Sequence, residues 1–201
     1  MLTASNATQK SLNDEDIATL LVELQTLNYE QSALKLTQLA NLYTSDARVL
    51  LLLAGEHAQA GKMDLAEASF LSALQCEPHY AIARFQLGLL QFTSARPAVA
   101  SVTWAPLDDL PENDPLRLFK TGFEYLAQNK TAEATHAIEL GIHENKSNAP
   151  LNTDMRKVLT AIEGLSLLGN TSTPAPSQPT DIAAPEEATE HFLMSAYRNL
   201  H

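Results

Sequence analysis

ARVLLLLAGEHAQAGKMDLAEASFLSALQCEPHY, residues 47–80, is the stretch on which the fold reading turns. Leu50, Leu53, Ala54 and His57 fall at spacings of three, one and three, which is one face of a helix. Ala66, Phe70 and Pro78 follow at intervals that suit a second helix and its end. The same marks return downstream at a constant step. One step on are Leu87-Gly88, then Ala100 and Trp104; a second step gives Thr121-Gly122 and Tyr125, then Ala134 and Ile138. One step upstream lie Ile17, Leu20-Leu21 and Ala33. Two series keep the period strictly, Ala54, Gly88, Gly122 and Ala66, Ala100, Ala134. Small residues are required where the two helices of a hairpin cross closely. Large apolar residues fill the space between hairpins, and because no hairpin buries its own apolar stripe the units stack. Glycine is scarce, at 7 residues, and no strand-like alternation competes with this helical reading.

The pattern resembles the tetratricopeptide repeat, in which W-x2-L-G-x2-Y is followed by A-x3-F and then P. The resemblance covers residues 14–145 and is best over 47–80. The first repeat departs from it at Leu24 and Thr37, where the family has aromatics. In the third repeat Arg84 replaces a large apolar residue, and Pro97 and Pro106 bracket a short second helix. The resemblance implies an all-α fold, a right-handed α-solenoid of about four helical hairpins, to which the residues beyond it add a capping helix and a C-terminal tail helix in this reading. It also implies that the first helix of each pair lines a concave groove. Carried over residue by residue, that lining is Arg48, Leu51, Gly55, Ala58 and Gln59 in the second repeat. It is Ile82, Phe85, Gln86, Leu89 and Phe92 in the third, and Leu116, Phe119, Lys120, Phe123 and Leu126 in the fourth. Family members that grip an acidic peptide terminus use Lys, Arg and Asn there. Here the places are mostly Leu and Phe, which suits an apolar or amphipathic polypeptide segment.

Beyond the repeats, Met155, Val158, Leu159, Ile162, Leu165 and Leu168 form one stripe over residues 150–168, expected to cap the apolar end of the array. A Pro/Ser/Thr-rich linker follows. After Pro185, Glu186, Glu187 and Glu190 precede Phe192, Leu193, Ala196, Tyr197 and Leu200 at helical spacing, a tethered docking helix in this reading. A short apolar-faced helix is not stable alone in water and needs a surface, in the same chain, in a dimer mate or on another protein. The expected organisation is a polar segment at 1–13, a repeat array at 14–148, a capping helix at 149–168, the linker at 169–185 and the amphipathic helix at 186–201.

With 13 Lys+Arg against 24 Asp+Glu, the formal net charge of -11 opposes binding to nucleic acid. The longest apolar run, Val49 to Ala54, is far short of the ~20 residues a bilayer span needs, so no membrane insertion is expected. One cysteine, Cys76, excludes an internal disulfide and a cysteine zinc site. Its place on the second helix of a pair suggests a small apolar filler. His136 and His143 lie two turns apart, about 10 Å by helix rise, too far for one metal without further ligands. His57 stands where the family has Tyr and reads as a structural histidine. Asp108, Asp109, Glu112 and Asp114 read as a solvated acidic loop. No catalytic pattern emerges, and no cofactor is expected. The reading is a cytoplasmic, non-enzymatic scaffold or adaptor for protein partners. Its alternatives are a chaperone-like subunit of a bacterial secretion or cell-envelope assembly, which arrays of this size and groove character resemble, and a homodimer joined through the C-terminal helix.

Overall fold

The repeat period reappears in where helices begin. In the computed structural model, which describes residues 11–169 and the side chains of 11–164, α1 (Asp14–Leu24) and α2 (Tyr29–Leu42) are followed by α3 (Ala47–Gln59) and α4 (Met63–Cys76). Then come α5 (Ala81–Thr93), α6 (Pro97–Trp104), a short 3-10 turn (Ala105–Asp109), α7 (Pro115–Ala127), α8 (Thr131–Glu144) and α9 (Ala149–Gly169). The fold is all-α, and no strand occurs among the described residues. Helices α3, α5 and α7 start at positions 47, 81 and 115, and α4, α6 and α8 at positions 63, 97 and 131. Both series are evenly spaced, with the interval that separates Ala54, Gly88 and Gly122. The linker and the segment with Phe192, Leu193, Ala196, Tyr197 and Leu200 lie outside the described residues, as do Leu165 and Leu168 as side chains. No helix among the described residues is long and apolar enough to cross a membrane.

The turn inside each hairpin obeys the same period. Gly61, Ala95 and Asn129 take the left-handed conformation, at φ 70, 56 and 58. In each case the next residue's N–H closes the preceding helix: Lys62 to the His57 carbonyl (2.8 Å), Arg96 to Gln91 (2.9 Å) and Lys130 to Tyr125 (3.0 Å). This closure satisfies carbonyls that the last helical turn would leave bare. At the other ends, Asn13 and Asn28 form capping boxes on α1 and α2, and Asp46 and Asp114 cap α3 and α7.

The chain divides into two compact units, with the boundary after Arg84, inside α5. In the first, Leu20 and Leu24 of α1, Leu36 of α2 and Val49 and Leu53 of α3 form one core cluster. Ala47, Ala73 and Ala83 form a second, smaller one. The first hairpin is slightly out of step. The interval from the start of α1 at Asp14 to that of α3 at Ala47 is one place shorter than the interval from Tyr29 of α2 to Met63 of α4. Ser32 takes the place of Ala66, and it is Ser32 that is buried, whereas Ala33 is only half-buried. In the same frame Leu36 fills the place of Phe70, and Thr37 is exposed. Cys76 is exposed, its Sγ 3.4 Å from the Thr44 carbonyl, so it is no core filler.

In the second unit the small residues do what close crossing demands. A Cβ on Gly88 would stand 2.1 Å from Trp104 Nε1, and one on Gly122 would stand 2.6 Å from Ile138 Cγ1. Ala100 and Ala134 are fully buried. Trp104 lies where Phe70 and Ile138 stand in their own hairpins and donates from Nε1 to the Phe85 carbonyl at 2.9 Å. Helix α9 packs on α8 with Leu151, Met155, Val158 and Ile162 buried, and Asn145 and Asn152 join the two through side-chain and carbonyl hydrogen bonds of 2.9 Å.

Candidate functional site

Phe85, Phe119 and Phe123, expected to line a groove, are instead the core of the second unit. Phe85 meets Trp104, Phe119 and Phe123 at ring-centroid distances of 6.1, 6.0 and 6.3 Å. Phe85 and Phe119 are fully buried, Phe123 nearly so, and Gln86 and Leu89 lie with them in the interior. A groove wall must be reachable, and these residues are not. The apolar stripe of α5 and α7 is consumed in holding hairpins together, where aromatic pairs in offset and edge arrangements add to the area they bury.

Lys120 is not a free groove cation either. It is buried, with Nζ 2.8 Å from both Asp108 carboxylate oxygens and 3.0 Å from Glu124 Oε2. Burial alone would lower its pKa, but the hydrogen bonds to Asp108 and Glu124 carry it above the ordinary lysine value. It ties the 3-10 turn to α7, so the acidic loop is only partly the solvated run its sequence suggests. Arg48 is likewise occupied. It bonds Asp46 (2.8 Å), Asp14 (2.9 Å) and the Leu12 carbonyl, strapping the start of α1 to the cap of α3. Burial would raise the Asp46 carboxyl, but Arg48 and the N–H groups of Leu12 and Arg48 hold it below the usual carboxylate range. Ala58 is fully buried. Leu51, Gly55, Gln59, Ile82, Leu116 and Leu126 are half-buried.

Of the expected lining, Phe92 opens onto a cleft. It packs edge-on to Phe123 at 5.3 Å and stacks on Trp104 at 5.9 Å, and it forms the accessible floor of a cleft of about 480 Å³ between α6 and α7, with the buried Trp104 ring beneath it. Helix α6 supplies Pro97, Ala98, Ser101 and Trp104, and α7 and its end supply Glu124, Ala127 and Gln128. The cleft owes its opening to the brevity of α6, which runs 8 residues where α4 and α8 run 14. Pro106 has no N–H with which to continue the ladder, so the chain tightens into the 3-10 turn and Leu107 is drawn inward.

The outer side of α6 is unusual for an exposed helix. From Pro97 to Leu107 there is no charged residue, yet Pro97, Ala98, Val99, Ser101 and Val102 are exposed, Val102 by 75%. A helix that is apolar on all sides is normally buried. The charged residue in the cleft lining is Glu124, which accepts from Ser101 Oγ (3.4 Å) and pairs with Lys120. The cleft thus combines a small-residue wall (Ala98, Ser101, Ala127), the ring of Phe92 and one paired carboxylate.

Among the other singled-out groups, His57 is buried, with Nδ1 3.0 Å from the Tyr29 hydroxyl. Burial lowers its pKa against the opposing pull of Glu56. Asp154 on α9 is buried, and desolvation raises its pKa to about 6 although Lys157 Nζ sits 3.0 Å away. His136 and His143 are exposed. The bracketing prolines at 97 and 106 and the charge-free run between them were the sequence signals that could have located the cleft. Neither says that α6 and α7 part. No family model matches the chain, and no characterised protein and no solved structure matches it.

Proposed function

We propose that this chain is a protein-interaction module that holds an apolar or amphipathic polypeptide segment in the α6–α7 cleft. The observation that carries the reading is the exposed, charge-free surface of α6 beside a cleft floored by Phe92 over the buried Trp104 ring. An amphipathic helix laid against such a surface desolvates it at little polar cost, because the single carboxylate already has its partners. The helical repeat supports the same class of function, since repeat arrays in general present surfaces for polypeptides rather than closed pockets. The resemblance to tetratricopeptide repeats points that way too. The proposed site, however, lies on a second helix and its neighbour instead of along the first helices.

The test uses a fluorescein-labelled peptide of about 16 residues, built of Leu, Ala and Gln with leucine at every third or fourth place. The chain's single tryptophan, Trp104, reports from directly beneath the cleft. Binding quenches Trp104 emission, and Ala98→Glu weakens binding about ten-fold or more by placing a carboxylate in the contact. Ala98 is exposed in the first turn of α6, where a carboxylate favours the helix, so the variant keeps its thermal stability. Equal binding by wild type and Ala98→Glu refutes the assignment.

A further inference from the structure

Helix α6 is the one helix among the described residues that carries no charged residue. Its outer side is apolar, with Val99 exposed by 45% and Val102 by 75%. The helices that follow in the same unit show the ordinary pattern for an exposed side: α8 presents Glu133 and Glu139, and α9 presents Arg156 and Glu163. We infer that α6 is a self-association surface. A second copy of this chain lays its own α6 there, Val102 of each copy enters the α6–α7 cleft of the other, and a partner segment binds by parting the pair. This rests on the proposed reading of the cleft as a place for apolar polypeptide.

Three observations select a second copy as the occupant. The first is charge. A two-fold contact sets a patch against itself, so any net charge on the patch meets its own sign. Two chains of formal net charge -11 therefore pair most readily where charge is absent, and α6 meets that condition. Glu124, the charged residue in the cleft lining, is held by Lys120 at 3.0 Å, so it brings no unpaired carboxylate to the contact. The second is shape. Each copy in a two-fold contact must supply both the projection and the recess, on one patch. Helix α6 carries both: Ala98 and Ser101 wall the cleft, and Val102 projects one residue beyond Ser101 and one turn beyond Ala98. The third is size. A helix of 8 residues is about 12 Å long, and a patch of that length falls short of the ~800 Å² that each partner gives to a standard interface. The pairing is accordingly weak, micromolar or weaker, which is what lets a partner segment displace it.

The experiment is sedimentation velocity of the full chain at concentrations from about 5 to 500 μM. The mean mass should rise from one chain toward two across that range. Added salt should move the rise to lower protein concentration, because it screens two chains of like charge. Val102→Glu and Val102→Lys should each weaken the pairing about ten-fold or more by placing a charge in the contact. Val102 is exposed, so both variants keep the far-ultraviolet circular dichroism of the wild type. The lysine variant lowers the net negative charge, so its loss of pairing separates an effect at α6 from a change in overall repulsion. Saturation with the leucine-bearing peptide should return the wild type to a single chain. A single chain at every concentration overturns the inference, and if the peptide still quenches Trp104 the reading of the cleft stands alone. Pairing that survives both Val102 variants, or that the peptide leaves intact, also overturns it, since the copies then meet on another face. A single chain that binds no peptide brings down both.

Discussion

Replacing Ala95 with glycine should make the protein more stable, an unusual expectation for a glycine substitution next to a helix. Ala95 holds φ 56, in the turn where Gly61 and Asn129 stand in the neighbouring hairpins. For a residue with a Cβ that conformation costs ~1–2 kcal/mol. Glycine removes the cost but loses ~0.4–1 kcal/mol through the greater freedom of the unfolded chain. The difference leaves Ala95→Gly about 0.5–1 kcal/mol more stable. The Arg96 N–H to Gln91 carbonyl bond that closes α5 is untouched by the change. Urea unfolding followed by Trp104 emission reads the unit that contains the turn. The midpoint should rise with an unaltered slope. Gly61→Ala at the equivalent place should lower stability by about 1 kcal/mol, because it introduces the strain that Ala95 already bears. If Ala95→Gly lowers stability, or Gly61→Ala leaves it unchanged, the three turns are not equivalent and the repeat frame drawn through them is wrong.

Other expectations follow from single contacts. Ser32 takes the place of Ala66 in the first hairpin, and its buried hydroxyl has no hydrogen-bond partner among the described residues; Ser32→Ala should stabilise by about 1 kcal/mol in chemical denaturation. Gly88→Ala should cost roughly 1–3 kcal/mol despite alanine's better helix propensity, because the added methyl meets the Trp104 ring, and a red shift of Trp104 emission should accompany the loss. Two buried groups set opposite pH trends. His57 is held neutral by burial, so its contribution is complete above the ordinary histidine pKa of ~6.5 and is lost as pH falls through its lower folded value; His57→Gln should flatten the decline in midpoint between about pH 7 and 5. Asp154 has its pKa raised from 3.8 to about 6, so its contribution is complete below the unfolded value and is lost as pH rises through about 6. Asp154→Asn should therefore be more stable than wild type at about pH 8, by ~1–3 kcal/mol, and no more stable at about pH 4.

The parts of this architecture that the sequence made legible are those dictated by backbone spacing. Ala54, Ala66, Gly88, Ala100, Gly122 and Ala134 recur at a fixed interval and are all buried, because a helix crossing admits only small side chains wherever it recurs. The first hairpin was less legible because its α1 stands one place nearer to α3 than the period requires, and the small-residue place falls on Ser32 instead of Ala33. The candidate site was harder still. The spacing of Phe85, Phe119 and Phe123 identifies an apolar face, but the same spacing serves an inward face and an outward one, and here it faces inward. Of the partners that occupy Arg48 and Lys120, Asp46 and Glu124 are near in sequence, but Asp14 and Asp108 stand far along the chain in other elements and could not be read from it. The cleft itself depends on how far two helices separate, a property no single residue encodes.

The glycine at 88 and the indole at 104 have one further implication. The ring occupies the volume a methyl at 88 would take, and Ile138 stands over Gly122 in the same relation. Neither member can be exchanged alone without a collision or a void, so in these two hairpins the crossing accepts joint replacement of two positions, one on each helix. A hairpin transplanted from one place in the series to another must therefore travel with both halves of its couple.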